Sequence, residues 1–428
     1  MIESRTASWR RGVVQNQGVN IVVGVTGGIA AYKTVQLVRL LVKGGHEVAV
    51  IPTDDALRFV GLPTWEAISR HPVTTSVHED VARVRHVALG QAADLVIVAP
   101  ATANTIAKMA AGLADDLLGT TLLATLAPVI VAPAMHTEMW RHPSTQANVA
   151  TLRERGVIIA GPADGELTGG DSGPGRVLEP ETLHEIVLAT LASAAQAQSL
   201  AGLRVVVSAG GTREPIDPVR YLGNRSSGRQ GVAIAVEAAT RGAEVELVAA
   251  NIGADVLAAT DGLTVGIRHT GSAAQLAEAM KDAAARADIV IMAAAVADYR
   301  PASVSDQKLT KESGLLERIE LVENEDVVAG LAAARGVGRA PAGQTIVAFA
   351  AETAADPEHR RERARRKRER KGVDLLAVNL VDDQRGFEAA DNAIEVIGDA
   401  GEVVAAVDGT KRQVAAALWE AVQRVREG

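Results

Sequence analysis

Two glycine pairs stand where a phosphate could be gripped. Gly27-Gly28 follows the β-branched run Ile21 to Val25, and Gly210-Gly211 follows Val205 to Val207. Glycines just past a strand let backbone N–H groups come close to an oxyanion, and a helix opening there adds its own unpaired N–H groups. The second pair lies in a longer stretch, SAGGTREPIDPVRYLGNRSSGRQG from Ser208 to Gly231, with Arg225, Arg229 and a Ser226-Ser227-Gly228 turn ahead of a helical run. That combination reads as a phosphate cradle on a strand-to-helix crossover. It has neither G-x-G-x-x-G nor G-x-x-x-x-G-K-[ST] spacing, so the dinucleotide fingerprint and the Walker loop do not account for it. In the first half, Lys33, His86, Thr102, Asn104 and His136 are the side chains with usable chemistry. A lone histidine is more often structural than catalytic, but an imidazole can move a proton near neutral pH. In the second half, Asp298, Lys308 and Lys311 lie in or beside the polar stretch Tyr299 to Glu320. As surface charges or a helix cap they carry no function; their place in a polar stretch past a strand end favours a functional role.

Such groups converge when parallel strands end together. The patterning predicts strands at Ile21 to Val25, Glu47 to Ile51, Leu95 to Ala99 and Val129 to Ala132, with a helix from about Ala30 to Val42 completing a βαβ start. Small or polar residues follow the strands, where ligands collect in open α/β sheets. The Gly-, Pro- and Asp-rich stretch 163–180 reads as a mobile flap. The pattern then begins again: IVVGVTGG is echoed by VVVSAGG, and ADLVIV at 93–98 by ADIVIM at 287–292. Duplication and convergent α/β patterning explain these echoes equally well. Strands are further predicted at Ile346 to Ala350 and Leu375 to Val378, and a terminal hairpin at Ala393 to Ile397 and Val403 to Val407, before a closing helix. The basic run His359 to Lys371, interrupted by Glu362 and Glu369 and lacking aromatics, reads as a solvated helix rather than a nucleic-acid patch. The expectation is α/β: two doubly wound, Rossmann-like domains with mostly parallel sheets. Their bounds are a flexible extension at 1–19, a first domain at 20–191, a linker at 192–201 and a second domain at 202–428.

Composition agrees. A chain of 428 residues is too long for one ordinary core. Abundant Ala, Val, Leu and Gly with only 2% aromatics suit strands buried on both faces. A net charge of -8 argues against a general nucleic-acid or membrane-surface role. Zero cysteines exclude disulfides, thiolate metal sites and a cysteine nucleophile. The Arg-containing N-terminal residues precede no secretory apolar region, and no run reaches membrane-spanning length, so a cytoplasmic protein is expected.

Four motifs of the first half, GVTGGIAAYK at 24–33, APATANTIAKMAAGLADDLL at 99–118, PAMHTEMW at 133–140 and DSGPGR at 171–176, resemble the flavin-dependent cysteine decarboxylase family. In the second half, AGGTREPIDPVRYLGNRSSGRQG, AAAVADYR at 293–300, Lys308, Lys311 and AFAAET at 348–353 resemble the phosphopantothenate–cysteine ligase family. In this order on one chain they resemble the bifunctional coenzyme A biosynthesis family, from Val19 to Arg426.

The resemblance implies FMN in the first half, held by Gly27 and Gly28 with Thr102 and Asn104 near the ring and phosphate, and makes His86 the active-site histidine. Loss of CO2 from a cysteine carboxylate needs an electron sink, which flavin oxidation of the thiol to a thioaldehyde provides. For the second half it implies CTP-dependent condensation of 4'-phosphopantothenate with cysteine through an acyl-cytidylate. Asn224 would serve that mixed anhydride and Lys308 the nucleotide's developing charge. Gly228 and Arg229 would face phosphate, Ala294, Ala295 and Phe349 the cytosine, and Lys311 the nucleotide. Asp298 would lie near nucleotide and Mg2+. A homo-oligomer follows by the same resemblance, a dodecamer built from a trimeric flavin half and a dimeric ligase half.

Two positions depart from the family pattern. His136 stands where the family commonly has Asn, and Gly169 where it often has a flap cysteine, the usual proton donor. Either His136 or water takes that role, or the first half binds flavin and turns over poorly. Two other classes remain for test: a nicotinamide dehydrogenase using Asp54 or Asp55 at a ribose, against which the glycine spacing counts, and a flavin-binding regulatory subunit.

Overall fold

The computed structural model describes residues 18–75, 85–166, 172–310, 318–352, 356–380 and 391–427. The chain divides into two compact units, 1–196 and 197–428.

The first unit is built on β1 (Asn20–Val25), β2 (Glu47–Pro52), β3 (Leu95–Ala101), β4 (Val129–Pro133) and β5 (Ile158–Ile159), all parallel, in the order β2-β1-β3-β4-β5. Every residue of β3 is buried, as expected of a central strand covered on both faces. On one face Val23, Val25 and Ile97 pack with Leu37, Leu41 and Trp65; on the other, Val22, Val96 and Val98 pack with Ile106, Leu118 and Leu152. The covering helices are α1 (Ala31–Lys43), α2 (Leu62–Ser69), α3 (Arg85–Ala92), α4 (Ala103–Ala111), α5 (Leu117–Ala124), α6 (Thr137–Arg141), α7 (Pro143–Glu154) and α8 (Pro180–Ala197). Strand order reverses between β1 and β3, which opens a crevice at their carboxyl ends.

The stretch read as a flap carries an antiparallel ladder, β6 (Ala163–Glu166) on β7 (Ser172–Arg176), with Gly169 outside the described residues. The Ala- and Gln-rich run at 192–197 is the last part of α8 rather than a linker, because nothing in it breaks a helix.

The second unit holds an eight-stranded sheet in the order β12-β11-β8-β13-β16-β17-β18-β19. Its strands are β8 (Arg204–Gly210), β11 (Glu244–Ala250), β12 (Val265–Thr270), β13 (Ile289–Met292), β16 (Thr345–Glu352), β17 (Leu375–Leu380), β18 (Asp391–Ile397) and β19 (Val403–Thr410). The first six are parallel and the last two form the expected hairpin, which extends the sheet antiparallel to β17. Two short antiparallel ladders branch from the strand ends, β9 (Arg213–Pro215) with β10 (Tyr221–Gly223), and β14 (Tyr299–Pro301) with β15 (Leu321–Glu323). The helices are α9 (Arg229–Thr240), α10 (Ala254–Leu257), α11 (Ala273–Ala284), α12 (Val327–Gly336), α13 (Pro357–Lys371) and α14 (Lys411–Glu427). Fully buried Trp419 of α14 donates its Nε1–H to the Ile234 carbonyl of α9 at 3.0 Å. The doubly wound α/β expectation therefore holds for both units, and this sheet reverses order between β8 and β13. Among the described residues no helix is long and apolar enough to cross a membrane.

Candidate active sites

In the first unit, Thr26 knits the two strands that flank the crevice. Its hydroxyl donates to the Pro100 carbonyl at 2.7 Å and accepts from the Thr102 N–H at 3.0 Å. Thr102 is then the N-cap of α4, its Oγ1 accepting from the Thr105 N–H at 3.3 Å, with Asn104 exposed in that helix's first turn. Gly27 and Gly28 lie opposite, at the end of β1. A Cβ on Gly27 would come within 2.4 Å of the Asp55 Cβ, whereas one on Gly28 would meet only the Thr102 Cγ2, at 3.8 Å. Gly28 therefore faces open space beside the capped helix. That bare backbone, with the N-terminus of α1 just after it lacking a side-chain cap, fits a phosphate-bearing cofactor.

β4 delivers His136 to the same rim. The Ala134 N–H bonds to the Ala101 carbonyl at 3.0 Å and the Met135 N–H to the Gly175 carbonyl of β7 at 3.0 Å, while the His136 side chain is exposed. Lys33 is taken up by an ion pair with Glu179 at 2.8 Å, and Arg176 meets the same carboxylate oxygen. His86 is half-buried in the first turn of α3, which packs on α5 and β1. Among the described residues no hydrogen bond joins His86 to Gly27, Gly28, Thr102 or Asn104.

The second crevice is a cavity of about 880 Å³ at the carboxyl ends of β8, β13 and β16. Asn224, Gly228, Arg229, Ala294, Ala295, Asp298 and Phe349 all line it. Its floor is backbone stitched across the β8/β13 reversal: the Ala295 N–H donates to the Gly210 carbonyl at 2.8 Å, the Thr212 N–H to the Ala295 carbonyl at 3.1 Å, and the Ala294 N–H to the Ser208 hydroxyl at 3.2 Å. Asn224 is fixed over this floor by its amide, which donates to the Val296 carbonyl at 3.2 Å. Gly228, the N-cap of α9, has φ +77°, and a Cβ there would lie 2.5 Å from the Ile252 Cδ1. Only glycine fits both the left-handed backbone and that contact. Exposed Lys308 lies outside the cavity lining, and Lys311 falls outside the described residues.

The basic helix supplies what residue-by-residue reading missed. The helix expected there forms, and Arg361, Arg363, Arg366 and Arg368 pair with Glu395, Glu352, Glu362 and Asp399, of which only Glu362 lies on the helix itself. Yet Lys367, Arg370 and Lys371, at i, i+3 and i+4, share one face and line the cavity. Lys371 is held by both oxygens of Asp326, at 2.9 and 2.8 Å. Burial pushes the Asp326 carboxyl up, but Lys371, the Ala329 N–H and the Arg370 charge outweigh it and hold the group below its ordinary value. The i, i+3, i+4 spacing could have marked this face; which side it turned to could not be read. Asn324 is a further miss: its amide donates to the Ala297 carbonyl at 2.8 Å, bringing β15 to the cavity rim beside Asp298.

Among the described residues no group of three or more His, Asp or Glu is placed to hold a metal ion.

Residues 11–192 match the Flavoprotein family, and residues 200–425 match the DNA/pantothenate metabolism flavoprotein C-terminal domain. The chain is 49% identical over 403 residues to the coenzyme A biosynthesis bifunctional protein CoaBC of Mycolicibacterium smegmatis, covering 94% of this chain and 96% of that one. It is 41% identical over 392 residues to the Escherichia coli K12 protein of the same name, covering 90% and 92%. Among solved structures, the C-terminal domain of a coenzyme A biosynthesis bifunctional protein CoaBC matches at 30% identity and TM-score 0.42, over 54% of this chain and 98% of that one. The chain belongs to the family of bifunctional coenzyme A biosynthesis enzymes, with a flavoprotein decarboxylase domain followed by a ligase domain.

Proposed function

We propose that the second unit condenses 4'-phosphopantothenate with cysteine at the expense of CTP, and that the first decarboxylates the product with bound FMN. The observation that carries this reading is the convergence of Asn224, Gly228, Arg229, Ala294, Ala295, Asp298 and Phe349 on one cavity at a strand-order reversal.

In the ligase reaction a carboxylate oxygen attacks the α-phosphorus of CTP, and pyrophosphate leaves with the displaced electron pair. The cysteine amine then attacks the acyl carbon of the cytidylate, CMP leaves, and the amide remains. The open N-terminus of α9 at Gly228, with Arg229, holds phosphate oxygens. Lys367, Arg370 and Lys371 add positive charge opposite, and Asp298 would hold a Mg2+ that neutralises part of the triphosphate charge. The backbone at Ala294 and Ala295 and the Phe349 ring suit the base. Asn224 serves the acyl-cytidylate, and Lys308 the charge that develops on the nucleotide.

In the first unit Gly27, Gly28, Thr102 and Asn104 hold FMN at the β1/β3 reversal. FMN bound there would supply the electron sink that loss of CO2 from the cysteine carboxylate requires. His86 takes the thiol proton, and His136 donates the last one in place of the family's flap cysteine. The role of His86 requires it to reach a flavin edge. Exposed Ile29, Tyr32 and Met139 suit a second copy covering this crevice, which is how α3 of a neighbour would arrive. The reading thus includes a homo-oligomer, with the dodecamer as its specific form, acting in the cytoplasm.

The experiment is one incubation of the purified protein with phosphopantothenate, cysteine, CTP and Mg2+. Pyrophosphate and phosphopantetheine should both form. Pyrophosphate with a carboxylated product alone would remove the first reaction, and the absence of both would remove the assignment. Full decarboxylation by His136→Asn would remove the donor role of His136.

A further inference from the structure

The loop between β8 and α9 does more than carry Asn224. Within it, Asp217 is buried, with its side chain fully enclosed, yet it is a charged group that no step above uses. Its Oδ1 accepts the Val219 and Arg220 N–H groups at 2.8 and 2.7 Å, which closes a tight turn. Its Oδ2 faces the other way. It meets the Arg220 guanidinium at 2.9 Å and accepts the Leu309 N–H at 3.2 Å, 92 residues on. Arg220 in turn donates to the Leu309 carbonyl at 3.1 Å, so both polar backbone groups of Leu309 are held by one carboxylate–guanidinium pair. A third tie follows three residues earlier than Lys308, where the Ser305 N–H donates to the Ile216 carbonyl at 3.0 Å. Burial pushes the Asp217 carboxyl up, but three backbone N–H groups and the Arg220 charge outweigh it, so it stays ionised and keeps its grip at neutral pH.

We propose that Asp217 is a positioning residue for the ligase reaction: with Arg220 it clamps the backbone of Leu309 and so fixes Lys308, the residue next to it, relative to Asn224 at the far end of the same loop. This rests on the role given above to Lys308. A lysine on an exposed segment has a long, flexible stem, so its ammonium is directed only as well as its Cα is anchored. The clamp acts on the adjacent peptide unit, and Asn224 is itself tied to Val296 on the cavity floor. The connection between β8 and α9 therefore carries Asn224 and holds the residue next to Lys308.

The test uses the full chain. Asp217→Asn keeps the Oδ1 acceptor of the turn but turns an NH2 group toward the Leu309 N–H and Arg220. Pyrophosphate release from CTP and phosphopantothenate should fall about 10- to 100-fold in kcat, the scale of a displacement of roughly 1 Å, while KM for CTP shifts less than about threefold. The Leu309 amide should exchange faster, with α9 amides unchanged to show that the unit is folded. In a Lys308→Gln background the same substitution should cost less than about twofold, because the clamp then has nothing to position. Leu309→Pro removes the donor from the other side and should reproduce the kcat loss if Asp217→Asn fails to fold. Equal losses in both backgrounds would overturn the proposal. So would wild-type turnover in Asp217→Asn together with a loss in Lys308→Gln. Full activity in Lys308→Gln alone would instead remove the role of Lys308, and the proposal with it.

Discussion

Gly27 and Gly28 are neighbours in sequence and opposites in environment, which makes them a paired test of the flavin crevice. Alanine at 27 places its methyl 2.4 Å from the Asp55 Cβ and 3.1 Å from that residue's carbonyl carbon. Backbone on the far side cannot swing away, so the loop after β2 must move. Overpacking of this kind costs about 1–3 kcal/mol. Alanine at 28 meets only a methyl at 3.8 Å, an ordinary contact, and the fold should change by less than about 0.5 kcal/mol. Yet that methyl fills the space in which a phosphate or ring edge would lie. If it forces a ligand back by a comparable strain of about 1–3 kcal/mol, FMN affinity falls roughly 5- to 150-fold. The assay is thermal unfolding of the flavin-stripped protein beside FMN titration of each variant by flavin fluorescence. Gly27→Ala should lose stability, and Gly28→Ala should lose flavin while keeping it. If Gly28→Ala binds FMN like the parent, the crevice beside Thr102 is not the cofactor site.

Gly228→Ala combines a left-handed backbone penalty of about 1 kcal/mol with a clash against Ile252, about 2–4 kcal/mol together, so α9 amides should exchange roughly 30- to 700-fold faster. Unaltered exchange at the Val232 amide would refute this. Lys371→Gln should raise KM for CTP several-fold and flatten its dependence on salt, because one cation facing the triphosphate is gone; pyrophosphate release measured across ionic strengths checks it. Asp217 and Asp326 both sit below their ordinary carboxyl values, so the unfolded state takes up their protons first. Their contribution to stability is complete above the unfolded value of about 3.9 and is lost as pH falls through the lower folded values. Denaturant unfolding of Asp217→Asn should accordingly show a shallower acid limb than the parent; identical limbs would count against it. Thr102→Ala removes the cap of α4 and should cost about 1 kcal/mol, read as a lower melting temperature.

Much of the scaffold was legible because parallel strands buried on both faces announce themselves. Leu95 to Ala99 and Val129 to Ala132 were readable to within a residue or two, and the terminal hairpin showed in its Asp399-Ala400-Gly401 turn. The ladders β9/β10 and β14/β15 were not, since strands of three mostly exposed residues have no hydrophobic period to display. Gly27-Gly28 stands out in the sequence as small residues following a strand, whereas Ala294 and Ala295, which line the second cavity, are named only through the family resemblance. The site was not legible on α13, where all positions but Pro357 and Ala364 are charged or His and only tertiary contacts separate the cavity-facing Lys367, Arg370 and Lys371 from the rest. Asp217 escaped notice for a related reason: an acidic residue in a Pro-rich loop looks like a turn residue, and its second oxygen's partner lies 92 positions away.

The hydrogen bond between Trp419 and Ile234 joins residues 185 positions apart. On a ribosome, α9 therefore emerges long before the helix that will cover it, and β18 and β19 appear later than every strand they extend. Much of the apolar surface around Val232, Ile234 and Val396 must wait for the last turns of α14 to be translated. Pausing or premature termination shortly before Trp419 would leave that surface bare on a nascent chain whose first unit had already folded, a species suited to capture by chaperones or degradation machinery.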